Sequence, residues 1–383
     1  MNIVKSSIIL VCCVLIEACS LAPQRPSTTS EFQMSSVWVQ DTLVDSNKTF
    51  RKINRSSPLI YKDQVIVANS VEGLVSYRLE NHSIVWRLPI PQGIESSGTL
   101  INDRLFIGAN NGKMYSINLL NGQILWNFDT KSEIVAEPLL QEGILYFLSG
   151  SQSVFAVDAI TGKQQWTYNR QDTSNLMTIR GGSKPTYSAG SLFIGFSDGS
   201  VVSLNAKTGT QQWEITLNRN SRFKDIDSSP LIEGDSIYIN SYDDKIYCLS
   251  KNKGELIWKS PYGGVSTPLI MGDRLITTSS KGELVSLSKK DGNLLWKKKS
   301  NNGIFVDPVA YKNLIVSAES QGNLILFDSL TGIIKASFEP GRGVFSKPTV
   351  VAQKDLIYFV SGEGNLYSVK IENKKNSSLY YLK

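Results

Sequence analysis

The chain has 383 residues, enough for one large repetitive domain or two ordinary ones. Apolar residues make up 41% and charged residues 19%, a composition that folds and excludes a disordered chain. The net charge of +6 is spread along the sequence without a long basic run, and no zinc-finger or RNA-binding signature is present, so no nucleic-acid partner is expected.

Residues 1–18 read as a signal peptide. Lys5 supplies the positive end, and the continuous apolar run 8–16 is far short of the ~20 residues that span a bilayer. The segment ends IEAC at 16–19, which resembles a bacterial lipobox. By that resemblance Cys19 is lipidated and becomes the first mature residue. The alternative is ordinary secretory cleavage after Ala18, but Ile16 and Glu17 fit the small-x-small pattern poorly. Residues 19–35 form a tether; SLAPQRPSTTS at 20–30 is polar and Pro-rich, which suits a flexible connection. Ser20 stands where an Asp would retain a lipoprotein at the inner membrane, so the expected location is the periplasmic face of the outer membrane, held by the lipid anchor.

Of the four cysteines, Cys12 and Cys13 fall in the signal peptide and Cys19 is the lipid site. Only Cys248 remains, so neither a disulfide nor a Cys-based metal site is expected. The single histidine, His82, stands in the turn NHSIVW where another copy reads NGQILW. It reads as a substituted turn residue, neither ligand nor base.

Residues 36–383 are written as a repeat. Gly, three residues, Trp recurs as NGQILW (121–126), TGKQQW (161–166), TGTQQW (208–213), KGELIW (253–258) and DGNLLW (291–296). A second motif, a turn followed by hydrophobic alternation, precedes each copy, as in NGKMYSINL (111–119) and KGELVSLS (281–288). It occurs eight times at spacings of 38 to 47 residues. In one unit, strands end at 102, then span 104–109, 113–118 and 123–128. Asn111-Gly112 and Asn121-Gly122 supply turns that need positive φ. Four short antiparallel strands repeated eight times predict an all-β fold, an eight-bladed β-propeller. Gly turns the third strand into the outermost one, and Trp on that strand is expected to fill the gap between blades, a structural role.

The ends fit a closed ring. Trp38, in SSVWVQDT, reads as an outer strand with no inner strands before it, and the last unit (363–370) has no Trp after it. The N-terminal strand is therefore expected to complete the last blade, with LYYL at 379–382 as competitor. TGIIKA at 331–336 has lost its Trp and predicts a weaker contact there.

The two longest spacings, 47 and 45 residues, are consecutive. Both insertions join an outer strand to the next blade's inner strand, so both emerge on one face at adjacent blades. The first holds NLMTIRGGSKP (175–185) and the second SRFKDIDSSP (221–230). Apolar anchors beside Arg and Asp point to an interaction patch. The plainer reading is that Arg180 pairs with Asp225 and Asp227 to hold the loops, and the two readings are compatible.

The Gly-x-x-x-Trp repeat resembles the pyrroloquinoline-quinone-type propeller repeat. With the lipobox and the LMTIRG and FKDIDSSP loops, the whole mature chain resembles the BamB family, lipoproteins of the outer-membrane β-barrel assembly (BAM) machinery. That resemblance implies a non-enzymatic scaffold without a cofactor. It implies that the two loops bind the periplasmic POTRA domains of the barrel subunit BamA, within a complex containing the other BAM subunits. Unfolded outer-membrane protein precursors would be its clients, with strand addition at blade edges as one route. Carried over by motif, the contacts are Met177, Ile179 and Arg180 on the first loop and Asp225 and Asp227 on the second, with Arg222 beside them; the family usually has Leu where Met177 and Ile179 stand. Two rivals stay open. A quinoprotein dehydrogenase shares the repeat but needs a carboxylate cluster for its metal, a catalytic Asp and often an adjacent Cys pair; the sole such pair is Cys12-Cys13. The other rival is an envelope propeller with a different protein partner.

Overall fold

The structure, a computed structural model, describes residues 31–43, 54–170, 182–220 and 223–374. These residues form eight four-stranded antiparallel sheets, the blades of a propeller. Blades 1 to 7 span residues 59–89, 99–129, 139–169, 186–216, 231–260, 269–299 and 309–338, and blade 8 combines 349–373 with the N-terminal strand Phe32–Asp41. Strands are lettered A to D from the axis outward. Blade 2 is typical: A is Thr99–Ile101, B is Arg104–Gly108, C is Lys113–Asn118 and D is Ile124–Asp129. Strands B and C are buried on both faces, and D alternates between exposed and half-buried positions. The core therefore lies between blades. Ile66, Leu74 and Trp86 of blade 1, for example, pack with Leu105, Ile107 and Ile117 of blade 2.

The glycine of the Gly-x-x-x-Trp motif has a second duty that the sequence does not display. Trp86 of blade 1 lies flat on Gly122 in the C–D turn of blade 2, Trp126 on Gly162, and so on through Trp296 on Gly332. A Cβ built on any of these six glycines would come within 2.5–2.8 Å of an indole atom. In five of the six the indole N–H then donates to the same turn, as Trp86 does to the Leu119 carbonyl (2.8 Å), Trp126 to Ala159 (3.1 Å) and Trp166 to Ala206 (3.0 Å); Trp258 is the exception. Within its own blade each of these Trp faces a small C-strand residue, such as Ser116 opposite Trp126, with a β-bulge directly after it. Trp thus fills the inter-blade gap as expected, and Gly is what makes room for it.

The N-terminal strand closes the ring. Phe32–Asp41 pairs antiparallel with Asn365–Asn373, from Phe32 opposite Asn373 to Asp41 opposite Asn365. Trp38 falls opposite Ser368 after a bulge, the register of every other blade Trp. Its ring lies 4.5 Å from that of His82, which holds φ +61° at the place where the other turns have Gly. Between the inner strands of blades 8 and 1, Thr349 donates to the Pro58 carbonyl at 2.5 Å. The competing segment 379–382 lies outside the described residues.

Blade 7's missing Trp now has a reason. Because blade 8 draws its D strand from the N-terminus, it has no C–D turn on which a Trp could rest. Ala336 instead packs in one cluster with Met34 and Ile371, joined by Phe32 and Phe338, and Lys335 reaches Glu31 at 3.7 Å. The N-terminal strand fills the contact that was expected to be weak.

Candidate functional site: the axial cavity and its adjoining loops

D-to-A connections and B–C turns share one face of the disc, here called the connection face; A–B and C–D turns share the other. The two long connections, blade 3 to 4 and blade 4 to 5, are neighbours on the connection face, as their lengths predicted. Each is pinned at its start. Arg170 leaves blade 3 and pairs with Asp198 and with Glu214 (2.8 Å) of blade 4, its guanidinium 4.9 Å from the centre of the Phe196 ring. In the second connection the buried Asn218 donates from Nδ2 to the Phe223 carbonyl (3.2 Å) and accepts from the Asn220 N–H at 3.0 Å. Phe223 has φ +52° and leaves its ring 43% exposed beside Tyr242, the centroids 6.2 Å apart.

The structure separates the two acidic residues of this loop. Ile226 is a plug: it is fully buried and donates its N–H to the Phe196 carbonyl (3.2 Å), as Ile94 and Ile134 do at the equivalent places of blades 2 and 3. Asp225 before it has no exposed surface, and its carbonyl accepts from the Tyr242 N–H. Asp227 after it is half-buried and faces the axis of the ring. Cys19, Met177, Ile179, Arg180 and Arg222 lie outside the described residues.

Around the axis runs a cavity of about 1020 Å³. Its charged lining comes from two neighbouring positions ahead of the inner strands: Glu137, Lys184, Asp307 and Lys347 stand directly before a Pro, and Arg55, Glu95 and Asp227 stand two residues earlier in their connections. Sequence reading passed over all of these but Asp227. A Ser-x-Pro tripeptide before the inner strand, seen at 56–58, 183–185, 228–230, 266–268 and 346–348, marked the place of Lys184 and Lys347, and Arg55 and Asp227 directly precede two of its copies. Pro starts the strand. Ser turns inward and its Oγ accepts from a B-strand N–H, as Ser183 does from Gly195 (3.2 Å) and Ser266 from Thr278 (3.3 Å). The middle residue faces the axis. Middle residues also join one another into a belt. The Lys184 N–H donates to Ser229 Oγ (3.2 Å), Ser229 to Thr267 Oγ1 (3.3 Å), and Thr267 to Asp307 Oδ1 (3.2 Å).

Electrostatics along the belt are mixed. Lys184 pairs with Glu137 at 2.5 Å. Burial pushes the Asp227 carboxyl up to about 7; the like charge of Asp225 adds to the rise and Arg55 opposes it. Burial also raises Asp307, with Lys347 and the Thr267 N–H pulling the other way. Among the described residues no three His, Cys, Asp or Glu side chains group so as to hold a metal ion. Cys248 is buried within blade 5, and burial pushes its thiol up to about 11, which suits a packing role. What the site offers is a surface: the described ends of two long connections beside a charge-lined axial cavity.

Comparison with known proteins is consistent along most of the chain. Residues 92–269 and 242–377 match the family model described as outer membrane protein assembly factor BamB. A curated protein of that name from Shewanella oneidensis is 26% identical over 203 residues, 51% of either chain. One from Aliivibrio fischeri is 33% identical over 207 residues, 51% of this chain and 52% of its own. The chain thus aligns with about half the length of these curated relatives. In structure, BamB from Moraxella catarrhalis superposes with a TM-score of 0.74 at 20% identity, covering 88% of this chain and 99% of that one. A quinohemoprotein alcohol dehydrogenase from Comamonas testosteroni superposes with a TM-score of 0.70 at 12% identity, covering 88% and 76%. At such identities both likenesses concern the fold alone.

Proposed function

The chain belongs to the family of the outer membrane protein assembly factor BamB, and on that premise we propose that it is a non-enzymatic scaffold of the outer-membrane β-barrel assembly complex. Its two long connections dock on the POTRA domains of BamA, and it assists the folding and insertion of barrel precursors. Lipidated at Cys19, it works at the periplasmic face of the outer membrane. The observation that carries this reading is the placement of both insertions on one face of adjacent blades, with Asp227 and the exposed Phe223 beside them. The ring fixes where both connections start and end, side by side, which suits a docking face.

Asp225 has a positioning part in this arrangement. Being buried, it shapes the loop from beneath, and Asp227 is the carboxylate that a partner can reach. The test is a crosslinking pull-down from envelopes with wild type, Arg180→Ala, Asp227→Ala and Asp225→Ala. Capture of a POTRA-containing barrel protein by wild type is expected, with loss in Arg180→Ala and Asp227→Ala at a melting temperature no lower than that of wild type. Asp225→Ala is expected to lose capture together with a lowered melting temperature. Normal capture by Arg180→Ala and Asp227→Ala would remove the loops from the docking face.

A further inference from the structure

The net charge of the chain looks diffuse in sequence, yet the fold gathers it. The C–D turns and outer strands of blades 5, 6 and 7 are residues 251–260, 289–300 and 329–339. They hold nine lysines and only Glu255, Asp291 and Glu339 as acids, a net +6, equal to that of the whole chain. The equivalent segments of blades 1, 2 and 4 carry no such excess: blade 1 has Glu80 and Arg87, blade 2 has Asp129, and blade 4 has Lys207 and Glu214.

These same three outer strands begin with exposed aliphatic pairs: Leu256 and Ile257, Leu294 and Leu295, Ile333 and Ile334, between 41% and 58% exposed. Leu330 adds a fourth aliphatic tip. Lysines bracket the pairs. Lys253 precedes the first and Lys259 follows it; Lys290 precedes the second and Lys297, Lys298 and Lys299 follow it; Lys335 follows the third. Five of the nine lysines have ion-pair partners: Lys251 with Asp235, Lys253 with Glu255, Lys289 with Glu233, Lys297 with Glu283 and Lys335 with Glu31, and Lys299 donates to the Lys281 carbonyl. Lysine on an exposed edge strand also discourages strand pairing. That need is common to all blades, however, and blade 2 meets it with Asn127 and Asp129 after its own pair Ile124 and Leu125.

The arc lies where the N-terminal chain departs. The closing strand starts at Phe32, opposite Asn373 at the end of the blade 8 C strand, so it rises from the turn face beside blade 7, where Glu31 meets Lys335. The described chain begins at this corner, with Glu31 beside blade 7. Aliphatic side chains flanked by lysines are the composition of an interfacial membrane contact: the apolar groups reach the acyl boundary and the ammonium groups meet headgroup phosphates. We propose that the outer rim of blades 5 to 7 lies on an anionic lipid bilayer, so that the lipid anchor and the rim hold the disc edge-on and turn its docking face into the periplasm. The inference rests on the lipid-anchored location proposed above, but not on the docking loops.

The test is flotation of the full chain carrying Cys19→Ala, so that no acyl chain contributes. Vesicles of phosphatidylethanolamine with phosphatidylglycerol are compared with vesicles of phosphatidylcholine. Binding to the anionic vesicles is expected to weaken at least about tenfold in Lys297→Gln/Lys298→Gln/Lys299→Gln and to fall with added salt. Leu294→Gln/Leu295→Gln is expected to weaken it as well, and Lys163→Gln/Lys207→Gln, on blades 3 and 4, to leave it unchanged. Melting temperatures report that each variant is folded. Equal flotation of rim and control variants overturns the proposal, as does equal binding to neutral vesicles. In the crosslinking assay the rim variants should still capture the POTRA protein. If they lose it while flotation is unchanged, the rim is a protein contact instead. If wild type floats as expected but captures no POTRA protein, the docking reading fails and this one stands.

Discussion

At the scale of single residues, the informative contact is Trp on Gly. A glycine at positive φ is usually explained by its turn alone, and Gly162 at φ +72° qualifies. Here the space above the Cα is also taken, by Trp126 at 2.8 Å from where a Cβ would stand. Trp126→Ala should cost about 3–5 kcal/mol by lost burial and the cavity left behind. Gly162→Ala should cost about 1–3 kcal/mol from backbone strain, with the steric clash in addition. Because the two residues share one contact, the double variant should be less destabilised than the sum, as read by denaturant unfolding; strict additivity would mean the ring does not rest on the glycine. Asp227 makes a second prediction. Its folded-state pKa lies above the unfolded one, so its contribution is fully present below about pH 4 and is lost as pH rises through about 7. Asp227→Asn should therefore flatten the pH dependence of the melting temperature over that window and stabilise the protein above it; a profile parallel to wild type would show that the carboxyl is already ionised at low pH.

At the scale of elements, two ties decide how the ring holds. One is the carboxylate of Glu319, buried at the end of a blade 7 strand. Burial opposes its charge, yet it accepts from the Asn301 N–H (2.8 Å), Ser300 Oγ (2.9 Å), the Asn323 N–H (3.3 Å) and Asn302 Nδ2 (3.4 Å). Together these hold it below the usual carboxylate range. A lowered pKa contributes stability that is present above about 4.5 and is lost as pH falls through the folded-state value. Glu319→Gln should cost about 1–3 kcal/mol at neutral pH and remove part of the acid sensitivity, measured as melting temperature against pH. The other tie is the closing strand. Deleting residues 31–41 would bare the edge of Asn365–Asn373 and remove Met34 from the blade 7–8 core. A large fall in melting temperature together with self-association is expected. A monomer of unchanged stability, seen by light scattering and calorimetry, would mean that another segment takes the slot.

At the scale of the whole molecule, the period and the strand count could be read from the sequence, because each depends on local chemistry, whereas the closing strand was narrowed to two terminal candidates. Asn-Gly turns, two-residue alternation and a Trp at fixed distance from its Gly all act within one blade. The face and the neighbourhood of the two insertions were readable for the same reason, since the blade order fixes where an outer strand hands over to the next inner one. The rest depends on contacts across blades. Trp126 and Gly162 are 36 positions apart and nothing between them marks the pair. Asp225 and Asp227 look alike in DIDSSP, but the plug Ile226 sends one beneath the loop and the other to the axis. Residues at and just before the Ser-x-Pro positions, Lys184, Asp227 and Lys347 among them, line one charged cavity only when eight blades bring them around the axis. Likewise the lysines of three separate segments become a basic rim only when their strands stand side by side. Sequence by itself determined the unit and the number of units, since those follow from hydrogen bonding and alternation within about 40 residues, and it left two terminal segments as candidates to close them. The tertiary structure alone decided which residues share an axis, a joint or a rim, because ring closure sets those distances.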